Sequence, residues 1–188
     1  MPVDSGRIEA AVAEILAAIG EDATRPGLAS TPKRVAEAYA TFFAGVGVDP
    51  SGLLADSVPS DGLGELVLLR DIEFRSICEH HLLPFLGVAH VAYVPGERII
   101  GLGRVAAVVD TVAARPQLQE QLTEQIADAV QSGLEPKGVL VVVDAVHGCM
   151  TARGHRQTAS STVTLASRGS LTDPVQRAGV LTLIGGQS

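Results

Sequence analysis

Both cysteines of this chain sit beside histidine, in Cys78-Glu79-His80-His81 and again in His147-Gly148-Cys149. Three of the five histidines and all of the thiols therefore fall in two short clusters. Thiolate and imidazole are ligands that a borderline-soft ion such as zinc prefers, and Cys-x-x-His lets two side chains of one turn chelate one ion. Two Cys and one His would leave the fourth tetrahedral position to water, as in a catalytic rather than a closed structural zinc site. The same residues also admit inert core thiols, a disulfide or unrelated surface thiols. A second Cys-His cluster, with no other cysteine to share the role, favours metal, and zinc first.

The elements that must position these clusters are legible in outline. The 188 residues suit one domain with an appended helical segment. The hydrophobic content of 46% can fill a core, but four Phe, two Tyr and no Trp mean that Val, Leu, Ile and Ala must build it. A net charge of -7 argues against general nucleic-acid binding, because no basic stripe exists to neutralise phosphates. An anionic small substrate remains compatible if a few arginines gather locally. No stretch has the ~18 apolar residues of a membrane span, and the N-terminus does not resemble a signal peptide. The expectation is a cytoplasmic protein with reduced thiols.

Ile8, Val12, Ile15, Leu16 and Ile19 recur at helical spacing before Gly20. Thr31-Pro32 predicts a second helix, with Thr31 as N-cap, running through Val35, Ala36, Tyr39 and Phe43. Residues 44–63, rich in Gly, Ser, Asp and Pro, read as a linker, giving an N-terminal helical region over 1–60 and a main body over 61–188. In that body the pattern predicts strands over 65–77 and 85–94, with Cys78–His81 between them, and a short strand over 98–102. Two helices follow, then a buried strand over 138–147 delivering His147 and Cys149, a closing strand over 159–167 and a terminal helix from Asp173 to Ile184. Helices on one face of a small sheet leave the other bare; assembly with further copies would cover it, the alternative being cover by residues 1–60 of the same chain.

Four blocks in order carry a resemblance: Cys78-Glu-His-His-Leu-Leu-Pro-Phe-Leu-Gly87, Ile100-Gly-Leu102, Arg115-Pro-Gln-Leu-Gln-Glu-Gln-Leu-Thr123 and Asp144-Ala-Val-His-Gly-Cys-Met-Thr-Ala-Arg-Gly154. Together with Arg25-Pro-Gly-Leu28 and Thr31-Pro-Lys-Arg-Val-Ala36, they closely resemble the signature blocks of GTP cyclohydrolase I. The resemblance implies an α+β tunnelling fold (β-β-α-α-β-β, an antiparallel sheet with helices on one face) behind an N-terminal helical extension. It implies a ring-forming homo-oligomer, a decamer in the family, with GTP as the small-molecule partner. The implied reaction opens the purine imidazole ring of GTP at C8, releases formate and gives 7,8-dihydroneopterin triphosphate for pterin and folate synthesis.

By the same resemblance Cys78, His81 and Cys149 hold Zn2+, His147 protonates N7, and His80 serves as a second catalytic imidazole. Glu120 and Gln119 would meet the guanine, and Arg104 and Arg153 the triphosphate, with Arg156, Lys33 and Arg34 as further candidates. The chain departs from the family where Gly-Leu-Ser-Lys, followed three residues on by arginine, is usual: it reads Gly101-Leu102-Gly103-Arg104, then Ala107. A serine hydroxyl and one arginine are missing, and each charge-assisted phosphate contact contributes ~1.5–3 kcal/mol. A related hydrolase acting on another purine nucleotide, nucleoside or heterocycle is therefore the alternative. A non-catalytic ring and a nitrile reductase on the same fold fit the intact Cys-His-Cys set less well.

Overall fold

A computed structural model describes residues 3–62, 64–152 and 157–186 of the chain. It divides into two compact units, Met1–Gly47 and Val48–Ser188. In the first, helix α1 (Ser5–Ala18) opens where the Asp4 carboxylate accepts the Arg7 N–H at 3.0 Å, satisfying a donor that the first turn would leave unpaired. Helix α2 (Thr31–Phe42) starts one residue before the sequence reading has it. Thr31 is already helical, with Ser30 in the capping position. The backbone turn before it does the work of a side-chain cap, the Thr31 N–H donating to the Leu28 carbonyl at 2.9 Å. Leu16 and Ala36 are buried, whereas Ile15 and Ile19 of the predicted apolar stripe are exposed.

The second unit begins earlier than the boundary expected at residue 60, because part of the supposed linker belongs to the core. A 3-10 turn over Ser51–Leu54 leaves the Leu54 side chain wholly buried. Composition alone misreads this stretch, since the polar and small residues around it hide the anchor formed by Leu54 with Leu53 beside it. Its partner is α4 (Gln119–Leu134), in which Gly133 makes room: a Cβ there would lie 2.8 Å from the Ser51 carbonyl oxygen and 2.9 Å from Leu54 Cδ1.

The other elements of this unit are β1 (Val58–Pro59), β2 (Val67–Cys78), β3 (Pro84–Val94), β4 (Arg98–Ile99), α3 (Leu102–Ala113), β5 (Pro116–Gln117), β6 (Gly138–His147), α5 (Gly148–Thr151), β7 (Thr162–Gly169) and α6 (Pro174–Gly185). The expected strand over 98–102 shrinks to two residues, which pair antiparallel with β1. The closing strand runs over Thr162–Gly169 rather than 159–167. Asp173, expected as the first residue of the last helix, is its cap and accepts from the N–H groups of Val175 and Gln176.

The main sheet has the order β5-β2-β3-β6-β7; its four long strands are antiparallel, and β5 adds a parallel edge beside the end of β2. β6 lies between β3 and β7, and Gly138 to Val143 are all buried, which explains its unbroken apolar run. Helices α3 and α4 press Val105, Val108, Val109, Val112, Leu122, Ile126 and Val130 into one core cluster with Val91, Val139, Val141 and Val143 of the sheet. On the opposite face α6 covers one end, where Val180 and Ile184 meet Ala92, Leu140 and Val142. Beyond it Leu86 pairs with Val146, and Val163 and Leu165 pair with Asp144 and Val142. Leu86, Val146, Val163 and Leu165 are exposed, so the bare apolar face expected from the pattern is present on part of the sheet.

Candidate active site

The first cluster forms where the β2–β3 hairpin turns. The Cys78 N–H donates to the Leu83 carbonyl and the Leu82 N–H to the Cys78 carbonyl, both at 2.9 Å, while Leu82 takes a left-handed φ of 52°. That tight closure puts Cys78 and His81 on one side of the turn. The second cluster arrives on β6, whose register sets His147 opposite Phe85 of β3. Gly148 then lets the chain pass against the hairpin, since a Cβ there would lie 2.7 Å from the Pro84 carbonyl oxygen. The following turn of α5 carries Cys149 inward.

As a result, one ligand atom each from Cys78, His81 and Cys149 lies within 4.8 Å of the others. Two ligands about 3.8 Å apart are what bond lengths near 2.3 Å and tetrahedral angles give. Both cysteines are free thiols; Cys78 is buried, Cys149 half-buried and His81 exposed. The disulfide and unrelated-thiol readings therefore give way to a three-donor cluster open on one side. The donor set fits zinc.

His147 stands beside this cluster. Its ring stacks on Phe85, with centroids 4.7 Å apart and planes 3° from parallel. Its Nε2 lies 2.7 Å from Gln119 Oε1. Burial holds the imidazole below the ordinary histidine value, and the nearby Glu120 carboxylate pulls it partly back up. His80 is exposed, its ring centroid 6.1 Å from that of His81 and nearly perpendicular to it.

β5 brings the next block to the same place: the Glu79 N–H donates to the Gln117 carbonyl at 3.0 Å, and Gln119 and Glu120 open α4 immediately after. The two neighbours part there. Glu120 is exposed at the helix N-terminus, whereas Gln119 is 2% exposed. The Gln119 amide nitrogen is bonded to β6 and β7, and its oxygen faces His147.

Of the phosphate candidates, Arg104 is the one described within the second unit. Arg104, in the first turn of α3, is ion-paired with Asp56. Arg153 and Arg156 lie outside the described residues, and Lys33 and Arg34 belong to the N-terminal unit. Sequence reasoning missed Phe85 as the surface under His147, Asp56 as the partner of Arg104, and the hydroxyls of Thr123 and Thr164 around Gln119. Only Thr123, four residues after Gln119 on one helix, had a local signal.

Comparison with known proteins then decides the lineage. Residues 8–185 match the family model of GTP cyclohydrolase I. The chain belongs to the GTP cyclohydrolase I family. It is 63% identical to GTP cyclohydrolase 1 of Leifsonia xyli subsp. xyli over 97% of this chain and 96% of that protein. With GTP cyclohydrolase 1 of a Geobacillus species (strain WCH70) it shares 54% identity over 98% of each. Among solved structures, an archaeosine synthase QueF-Like in the apo form matches 57% of this chain and 97% of that one, with a TM-score of 0.48 and 19% identity. The β-β-α-α-β-β unit is the family's tunnelling fold, as expected.

Proposed function

We propose that this protein is a zinc-dependent GTP cyclohydrolase I that opens the imidazole ring of GTP at C8, releasing formate and forming 7,8-dihydroneopterin triphosphate for pterin and folate synthesis. The observation that carries the reading is the convergence of Cys78, His81 and Cys149 beside His147, within a chain of this family. Cys78, His81 and Cys149 would hold the ion, which when bound supplies Lewis-acid activation of water near neutral pH.

The remaining work falls to side chains of this chain. As water adds to C8, charge builds on N7, and His147 is the acid that protonates it. Phe85 fixes the plane of that ring. The exposed His80, next to a metal ligand, can carry protons to and from solvent as the C8–N bonds break. Glu120, exposed at a helix N-terminus, can accept both the N1–H and the exocyclic amine of guanine. Glu120→Ala is expected to raise KM for GTP roughly tenfold to a hundredfold, the range that losing a charge-assisted contact implies. Zinc stoichiometry, measured by elemental analysis, should not change; metal loss would refute the division of labour between Glu120 and the Cys-His-Cys set.

A second reading rests on Gly103, Ala107 and the pairing of Arg104 with Asp56. A cation already neutralised by a carboxylate attracts a triphosphate less, so a purine substrate with a shorter phosphate tail is the alternative. Parallel assays of metal-loaded protein with GTP, GMP and guanosine, reading formate and oxidised-pterin fluorescence, decide between them. Formate from GTP supports the first reading. Formate only from GMP or guanosine supports the second, and no turnover from any of the three overturns both.

Assembly completes the proposal. The exposed Leu86, Val146, Val163 and Leu165 form an apolar patch that a second copy would cover, consistent with a ring. Val163→Lys should shift the protein towards smaller species in sedimentation velocity with little loss of monomer fold. An unchanged distribution would place the interface elsewhere. No helix among the described residues is long and apolar enough to cross a membrane, and a cytoplasmic enzyme is the consistent reading.

A further inference from the structure

The buried Gln119 amide is surrounded on its nitrogen side. Its two N–H groups serve three acceptors, one hydrogen being shared: the Thr162 carbonyl at 2.7 Å, the Val143 carbonyl at 3.1 Å and Thr164 Oγ1 at 3.1 Å from Nε2. The hydroxyls continue the chain. Thr123 Oγ1 donates to the Gln119 backbone carbonyl at 2.7 Å, and its separation of 2.6 Å from Thr164 Oγ1 leaves Thr164 as the donor between the two threonines. The hydrogen bonds therefore close a loop: amide to Thr164, Thr164 to Thr123, Thr123 back to the carbonyl of Gln119.

The two backbone carbonyls fix which end of the amide is oxygen. Rotating it by half a turn would set Oε1 against two backbone carbonyls at hydrogen-bond distance, with no proton between them, an arrangement whose cost is that of a buried unsatisfied acceptor. So Oε1 is the atom 2.7 Å from His147 Nε2, and a carbonyl oxygen can only accept. His147 Nε2 must carry hydrogen.

From this geometry we infer that Gln119 is a positioning residue, which holds His147 as the Nε2–H tautomer on the Phe85 platform and leaves Nδ1 as the nitrogen that first takes a proton from solvent and then passes it to the substrate. The inference deepens the proposed role of His147 and rests on that reading for its catalytic meaning; the tautomer itself does not depend on it. The logic is that of a catalytic histidine whose second nitrogen is held by a hydrogen-bond acceptor so that the first is presented correctly. Here the acceptor is a neutral amide, oriented in turn by two threonines and two strand carbonyls from β6 and β7. Gln119 touches His147 rather than the reacting atoms.

The test is magic-angle-spinning 15N NMR of the zinc-loaded protein labelled at histidine, with the His147 signals assigned by their loss in His147→Asn. Wild-type protein should show a protonated, pyrrole-type Nε2 bonded to Gln119 and a pyridine-type Nδ1. Gln119→Met, which keeps the volume but removes the acceptor, should give a mixture of tautomers and lower kcat on the order of 10- to 100-fold, part of the range for acid–base catalysis, with KM little changed. Gln117→Met is the control. Gln117 is equally buried, but its amide binds Val112 and Gln125 instead of His147, so the tautomer and kcat should stay as in wild type.

A wild-type Nδ1–H tautomer overturns the inference, as does an unchanged His147 spectrum in Gln119→Met. Equal kcat losses in the Gln119 and Gln117 variants would reduce Gln119 to a structural residue and also overturn it. Should Gln119→Met fail to fold, Thr164→Val replaces it: freeing one side of the amide should produce partial tautomer mixing, and its absence counts against the proposal. If wild-type protein shows the expected tautomer but makes no formate from GTP, the substrate reading fails while the geometry stands.

Discussion

Cys149→Ala is expected to lose stoichiometric zinc and, with it, formate release from GTP. An apparent binding free energy near 10–16 kcal/mol for a structural four-ligand zinc site suggests that one of three protein ligands contributes about 3–5 kcal/mol, a loss of roughly 10²- to 10⁴-fold in affinity. Cys149 is suited to the experiment because it is half-buried in the short turn of α5, outside both core clusters. Removing its sulfur should leave the sheet intact, as circular dichroism and a denaturant midpoint would show. Cys78 is a poorer choice, since it is packed within the main core and its loss would confound metal with stability. Full zinc occupancy in Cys149→Ala, by elemental analysis of reduced protein, would break the assignment of the ligand set and the proposed chemistry with it.

His147→Asn separates acid catalysis from metal binding. Asparagine keeps a polar side chain of similar reach but has no group that titrates near neutral pH, so kcat should fall about 10²- to 10⁴-fold, the contribution usual for a positioned acid or base. KM should move little, because the guanine contacts proposed for Glu120 are untouched, and zinc should remain bound. The placement of His147 supports this split. Its ring lies flat on Phe85 and its Nε2 is engaged by Gln119, two contacts that orient an imidazole without making it a ligand of the cluster. A variant retaining wild-type kcat would remove His147 from the mechanism; one losing zinc would move it into the metal site.

The physical chemistry of each element explains why some of this was readable and some was not. An unbroken apolar run marks the first part of β6, Gly138 to Val143, because a stretch buried on both faces must be apolar throughout. Periodicity marks the i, i+4 face of α4, with Leu122, Ile126 and Val130 all buried. Leu54 escaped because an isolated Leu53-Leu54 pair in a polar, Gly-containing stretch carries no period; the groove above Gly133 makes it core. Thr31 was misplaced as a cap because the donors at the start of α2 are met by a preceding backbone turn, which leaves no sequence signature.

The sequence alone determined which atoms were available for chemistry: two thiols, the histidines placed next to them, and the hairpin spacing that lets Cys78 and His81 share an ion. It also determined the succession of strands and helices, since periodicity is a local property. Tertiary structure decided everything that depends on partners distant in the chain. Antiparallel pairing of β3 with β6 brings Cys149 to the Cys78–His81 turn. Threonine and carbonyl partners on β6 and β7 turn Gln119 inward while Glu120 beside it stays in solvent. Asp56 claims Arg104 in the same way. The reason is common to all three: a polar side chain goes where its hydrogen bonds and charge can be satisfied, and that is set by packing rather than by its neighbours in sequence.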